Sequence, residues 1–108
     1  MVLHFALQPE FGWAVGVTGL MGIANMYGAV TVVGARKKYN VKYPKLYAEG
    51  TSKDAEAFNC AQRAHQNTLE GLPITAINML ACATVYPKLS AVFGSIWCLG
   101  RIIYISEL

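Results

Sequence analysis

Residues 58–70 read FNCAQRAHQNTLE, and residues 71–86, which follow directly, read GLPITAINMLACATVY. The first stretch holds a cation, an amide and a carboxylate; the second holds no charge at all. On a helix Arg63, Asn67 and Glu70 stand at i, i+4 and i+7, within about 60° of one another. Asn59 extends the same stripe one turn earlier. A helix patterned this way runs into an apolar phase with one side still polar. Ionisable groups at the edge of an apolar span are costly, and they face a protein-lined cavity or hold something polar.

On the N-terminal side of this stretch, Thr51 or Ser52 can cap the helix, with Asp54 and Glu56 in its first turn, where carboxylates favour the positive helix end. On the other side the helix is expected to cross as residues 72–86. Pro73 is compatible with that, since membrane helices tolerate proline where the freed carbonyl finds a partner, and a slight kink is expected there. Tyr86, Pro87 and Lys88 form a short turn. A third helix is predicted from about Leu89 to Ser106, with Trp97, Arg101 and Tyr104 on one face at i, i+4 and i+7.

Upstream, residues 11–34 carry no charge, longer than the ~20 apolar residues that cross a bilayer. The first ten residues hold no Lys or Arg, whereas a cleaved leader has a positive start, so an uncleaved first span is expected. Gly12, Gly16, Gly19 and Gly22 recur every three or four residues, a spacing that lets helices approach closely in lipid. Asn25, an amide inside the span, is expected to bond a neighbouring helix. Residues 36–50 read as a basic, tyrosine-rich loop (Tyr39, Tyr43, Tyr47), broken by Pro44 and Gly50. Six of the nine Lys/Arg fall between Arg36 and Lys53. Positive residues mark the cytoplasmic side of a membrane and tyrosine favours its interface, which sets loop 36–53 in the cytosol.

Composition agrees with a membrane chain: of 108 residues 55% are hydrophobic and 14% charged, against ~25% charged in soluble domains. A nucleic-acid role needs a basic face on a soluble fold, and none is indicated. The fold class is therefore all-α integral membrane protein, one domain over residues 1–108. The second helix leaves the basic loop and the third returns to it, so Arg36, Arg63, Asn67, Glu70, Arg101 and Tyr104 gather toward one membrane side. Three arginines near one depth repel unless an anion or carboxylate sits among them. Glu70 balances one, and the others suit a carboxylate, which a guanidinium fork binds with paired hydrogen bonds. Structural pairing of Arg63 with Glu70 accounts for the same residues equally well. His65 lies off the stripe and reads as a helix-face residue; no second ligand stands at metal spacing. Cys60, Cys82 and Cys98 read as buried apolar thiols without a disulfide framework, and Met21, Met26 and Met79 as packing residues.

The stripe FNCAQRAHQNTLE, the segment ARKKYNVKYPKLY at 35–47 and the Arg101/Tyr104 pair together resemble the signature of the MAPEG family, the membrane-associated proteins of eicosanoid and glutathione metabolism, over roughly residues 28–104. The resemblance implies a four-helix transmembrane bundle, of which three spans are recognised here, assembled as a homotrimer with glutathione between subunits. It implies that Arg63, Asn67 and Glu70 hold glutathione, with Glu70 facing its ammonium group, that Arg36 and Arg101 meet its carboxylates, and that Tyr104 adds a contact. No metal is implied. The expected chemistry is activation of the glutathione thiol for attack on a lipophilic electrophile or a lipid hydroperoxide, with leukotriene C4 synthase-type activity within range. The fourth helix and the thiol-activating arginine are expected beyond Leu108, the 108 residues then being a truncated domain. The family default is the endoplasmic reticulum membrane, with the mitochondrial outer membrane second. The same family contains a lipid-binding adaptor without catalysis, the lipoxygenase-activating protein, which is the alternative reading along with an inactive truncated isoform.

Overall fold

The computed structural model of the chain describes residues 6–107. Within them lie three helices, α1 (Phe11–Tyr39), α2 (Lys53–Ala83) and α3 (Pro87–Ser106), each packed on the other two. They form an elongated slab of 58 × 30 × 17 Å. The first five residues and Leu108 fall outside the described part, and with Leu108 the position one turn beyond Tyr104.

The helix ends follow local chemistry. Ser52 caps α2, its Oγ accepting the Ala55 N–H at 3.1 Å, and Pro87 opens α3 at the position where its missing N–H costs nothing. The first helix runs further than expected. It continues through Arg36, Lys37 and Lys38 to Tyr39, so the basic cluster is the last turn of α1 and not the start of a loop. Cations there offset the negative helix end. Asn40 then takes the left-handed conformation (φ 55°) and its N–H returns to the Arg36 carbonyl, a termination asparagine tolerates.

Side-chain size is sorted inside out. The buried core is largely small: Ala14, Ala24, Ala64 and Ala83 are almost wholly enclosed. Large apolar side chains point outward on α1 (Trp13, Ile23, Met26, Val30), on α2 (Ile74, Ile77) and on α3 (Val92, Phe93, Ile96, Leu99). In water this surface would be an aggregation patch; in lipid it is the expected exterior, with small residues between helices. α1 and α3, at mean hydropathies of 1.4 and 1.5, are long and apolar enough to cross a membrane. The charge-free part of α2 within the helix, residues 71–83, is shorter than the ~20 residues of a full span, so α2 is not a third such helix on this measure. Thr31 bonds the Tyr27 carbonyl of its own helix and Thr75 that of Gly71, each at 2.8 Å, which satisfies these hydroxyls without a partner helix.

The glycine stripe behaves differently from expectation. A Cβ added at Gly12, Gly16, Gly19 or Gly22 would meet nothing among the described residues, so these residues make no close helix contact there. Close approach occurs instead at Gly28, where a Cβ would lie 2.8 Å from His65 Nδ1 and 3.2 Å from Ile105, and at Gly94, which abuts Met79 and Val17. Asn25 also departs from expectation: its Oδ1 is buried with no hydrogen-bond partner among the described residues. Of the three cysteines only Cys98 is buried; Cys60 and Cys82 are exposed. Met21 and Met79 pack in the core, whereas Met26 points outward.

Candidate functional site

α2 and α3 bring Asn67, Trp97, Gly100, Arg101 and Tyr104 together around a cleft of about 490 Å³. That size lies within the range of small-molecule sites. The helical period does the assembling: Trp97, Arg101 and Tyr104 share one face of α3, and Asn67 meets them from α2. Arg101 Nη1 donates to Asn67 Oδ1 at 2.7 Å. Its guanidinium also lies 5.6 Å from the Trp97 ring centre and 5.5 Å from that of Tyr104, within the range of cation–π attraction. The group is aimed by three side chains, yet it has donors to spare, because a guanidinium carries five N–H groups.

Beside this cleft stand Arg63 and Glu70, with Arg63 Nη1 at 3.8 Å from Glu70 Oε1. Both side chains are more than half exposed, so the pair is a loose one of small intrinsic worth, open to a competing charged ligand. Arg63 is held more firmly protonated than an ordinary guanidinium, first by a hydrogen-bonding interaction with the Tyr47 side chain and then by electrostatic attraction, Glu70 included. Tyr104 acts in the same direction more weakly. Arg63, Glu70, Tyr47 and Tyr104 thus form the upper part of one polar patch.

Tyr47 reaches this patch because two α2 residues fix the loop. Asn59 pairs with Ala48 as a second backbone would: its Oδ1 accepts the Ala48 N–H at 2.8 Å and its Nδ2 donates to the Ala48 carbonyl at 3.2 Å. Gln62, 3% exposed, donates to the Leu46 carbonyl at 2.9 Å. Asn59 was visible in the stripe, but its structural partner was not, and Gln62 carried no sequence signal beyond being one turn from Asn59. Replacing Gln62 with alanine strands the Leu46 carbonyl, at a cost of about 1–3 kcal/mol. Trypsin is expected to cut after Lys42 or Lys45 several-fold faster in Gln62→Ala than in the parent chain, read by limited proteolysis in detergent.

Arg36 stands apart from this patch. It donates to the Lys45 carbonyl at 2.7 Å and lies 4.3 Å over the Tyr43 ring and 5.4 Å from that of Phe58. Depth explains this. Tyr27 and Gly28 of α1 are level with Ser106 and Ile105 of α3, through the Tyr27–Ser106 hydroxyl bond at 2.6 Å and the Gly28 contact. Arg36 is two turns further along α1, roughly 12 Å at 1.5 Å per residue, while Arg101 lies one turn the other way. The three arginines do not share one membrane depth. His65 packs on Gly28 with its Nδ1 buried and unpartnered among the described residues. Among those residues no three His, Cys, Asp or Glu come close enough to hold a metal ion.

The MAPEG family model matches residues 14–106. An uncharacterized protein of the cyanobacterium Synechocystis is 31% identical over 99 residues, covering 90% of this chain and 67% of the relative. No solved structure matches the chain. With α1, the polar stripe of α2 and the Arg101 face of α3 all inside the matched range, the chain belongs to the MAPEG family, a family of membrane helix bundles that includes glutathione transferases and peroxidases.

Proposed function

We propose that the chain is a membrane-bound glutathione transferase or glutathione-dependent lipid peroxidase, nearest in kind to the microsomal glutathione S-transferase 3 branch, and that the cleft between α2 and α3 holds glutathione. The observation that carries this is the Arg101–Asn67 bond across the two helices at the mouth of a cleft lined by Tyr104 and Trp97. Glutathione offers two carboxylates, one ammonium and a thiol. A carboxylate fits the unused donors of Arg101, and the second meets Arg63, whose pairing with Glu70 is loose enough to reorganise. Glu70 then accepts from the ammonium group. Tyr104 donates a further hydrogen bond. Arg36 enters as the outermost cation, connected to Arg63 through the pinned loop at 45–47. In this proposal the second half of α2 crosses with α1 and α3, the basic loop faces the cytosol, and three copies assemble with the ligand between them. A relative in a cyanobacterium gives no support to any one organelle.

The chemistry required of the site is ionisation of the thiol. Near pH 7 a thiol of pKa ~8.5 is only a few per cent thiolate. A cation within ~4–6 Å of the sulfur favours the thiolate. The thiolate then attacks an electrophilic carbon of an apolar substrate to form a thioether, or attacks the terminal oxygen of a hydroperoxide. In the second case the O–O bond breaks, the alkoxide leaves and is protonated to the alcohol, and the glutathione sulfenic acid formed reacts with a second glutathione to give the disulfide and water.

Calorimetric titration of detergent-purified protein with glutathione, paired with thiolate absorbance against pH, tests this. Saturable binding that Arg63→Ala weakens several-fold, with thiolate forming below pH ~8.5, is the expected result. Binding with a normal thiol titration reduces the proposal to recognition without activation. Absence of binding overturns it and favours the lipid-binding adaptor.

A further inference from the structure

Three ties hold the loop between α1 and α2 against the helices. Arg36 of α1 donates to the Lys45 carbonyl, Gln62 of α2 donates to the Leu46 carbonyl, and Asn59 of α2 pairs with both backbone groups of Ala48. The backbone is thus fixed on either side of Tyr47. Neighbouring large side chains of this loop point outward, Tyr43 being 72% exposed and Leu46 50%. Tyr47 is turned in and only part-exposed, in hydrogen-bonding contact with the Arg63 side chain. A tyrosine that serves only the membrane interface offers its hydroxyl to the headgroup layer, as the exposed Tyr43 can. Tyr47 offers its hydroxyl to a cation of the polar stripe.

We propose that Tyr47 is a further glutathione-binding residue, its hydroxyl donating to the same carboxylate that Arg63 meets. This rests on the assignment of the polar patch and cleft to glutathione. A guanidinium carries donors and no acceptor, so in the contact between the two side chains the phenol oxygen accepts. Its own O–H is left to donate, and accepting from a cation polarises it in that direction. A carboxylate that bridges the pair takes an N–H on one oxygen and the O–H on the other. The ties at residues 45, 46 and 48 place the hydroxyl before a ligand arrives, so the ordering of the loop is not charged against binding. The same pair selects a carboxylate over a carboxamide, which is uncharged and has one acceptor oxygen in place of two. Glu70, loosely paired with Arg63 at 3.8 Å, cannot act in this way, since an ionised carboxylate only accepts.

Calorimetry in detergent compares the parent chain with Tyr47→Phe, using glutathione and its two monoamides, in each of which one carboxylate is replaced by a carboxamide. Tyr47→Phe is expected to bind glutathione about 10-fold more weakly, the size of one hydrogen bond to a charged group. It is expected to lose as much for the monoamide that keeps the Arg63-bound carboxylate and little for the other, and Arg63→Ala is expected to single out the same monoamide. Trypsin cutting after Lys42 and Lys45 should stay at the parent rate in Tyr47→Phe, because none of the three ties uses the hydroxyl. Undiminished glutathione binding by Tyr47→Phe overturns this inference and leaves the glutathione site standing. Equal weakening toward both monoamides also overturns it, making Tyr47 a brace of the loop. Absence of glutathione binding by the parent chain overturns the site and this inference together.

Discussion

Arg101→Ala protein is expected to bind glutathione about 10–100-fold more weakly than the parent, with helicity and thermal midpoint little changed. The magnitude follows from the loss of a hydrogen bond to a charged group, about 1.5–3 kcal/mol, at 1.4 kcal/mol per decade of affinity. Stability is spared because Arg101 is part-exposed and its one protein hydrogen bond goes to the exposed Asn67, which water can solvate once released. Arg101→Lys is expected to recover only part of the affinity: an ammonium restores the charge but cannot make the paired, in-plane contact of a guanidinium fork. Asn67→Ala belongs to the same unit, since it frees Arg101 to rotate, so the double variant is expected to lose less than the sum of the two singles. Calorimetry on the four variants reads all of this. Undiminished binding in Arg101→Ala would place the ligand elsewhere, and a large fall in thermal midpoint would make Arg101 a structural brace between α2 and α3 instead.

The site residues legible in the sequence were those whose relation is set by one helix alone. Trp97, Arg101 and Tyr104 share a face because of the helical period, and Arg63 and Glu70 meet for the same reason. What needed the structure was the stagger between helices. Arg36 could be placed on the same membrane side as Arg101 by counting crossings, but its depth depends on where α1 registers against α3, and the Gly28–Ile105 contact fixes that. The loop clamp was hidden for a related reason: Asn59 and Gln62 bond backbone carbonyls and amides of residues 46 and 48, and backbone groups carry no residue-type signal. The helix start at Ser52 was readable because a capping residue type announces it; α3 was read two residues late, its Pro87 and Lys88 taken as a turn, because proline serves a turn as readily as the first position of a helix. The end of α1 was not, because lysine and arginine are as much at home in a last helical turn as in a loop. The glycine spacing identified a small-residue face correctly as a pattern, yet spacing does not say which face of α1 meets a neighbour within the chain. Gly28 and Gly94, each alone in its stretch, carry the close approaches.

Gly94 is where the second large effect is expected. It lies on α3 where Met79 of α2 and Val17 of α1 converge, and all three helices meet there. A methyl group at this position would fall inside the contact distance of the Met79 sulfur and 2.7 Å from Val17 Cγ1. The two neighbours differ in their ability to yield. Methionine has three rotatable bonds and can withdraw its end; valine is branched at Cβ and strongly prefers one rotamer in a helix. Relief must then come from α3 moving away from α1. Overpacking of this kind costs about 1–3 kcal/mol, only partly offset by the ~0.8–1.0 kcal/mol that alanine gains over glycine in a helix. Gly94→Ala is thus expected to lower the thermal midpoint in detergent, and Gly94→Leu to lower it further. Gly19→Ala serves as the opposite control, since its Cβ enters open space and should leave the midpoint unchanged or raised. Adding Val17→Ala to Gly94→Ala should restore stability more fully than adding Met79→Ala, which separates a rigid obstacle from a compliant one. Because Gly94 precedes Arg101 by two turns on the same helix, displacement of α3 also draws Arg101 from Asn67, and glutathione affinity should fall alongside the midpoint and return with it in the Val17→Ala double variant. A stable Gly94→Ala protein with full affinity would mean that α3 packs on α1 less closely than these contacts require.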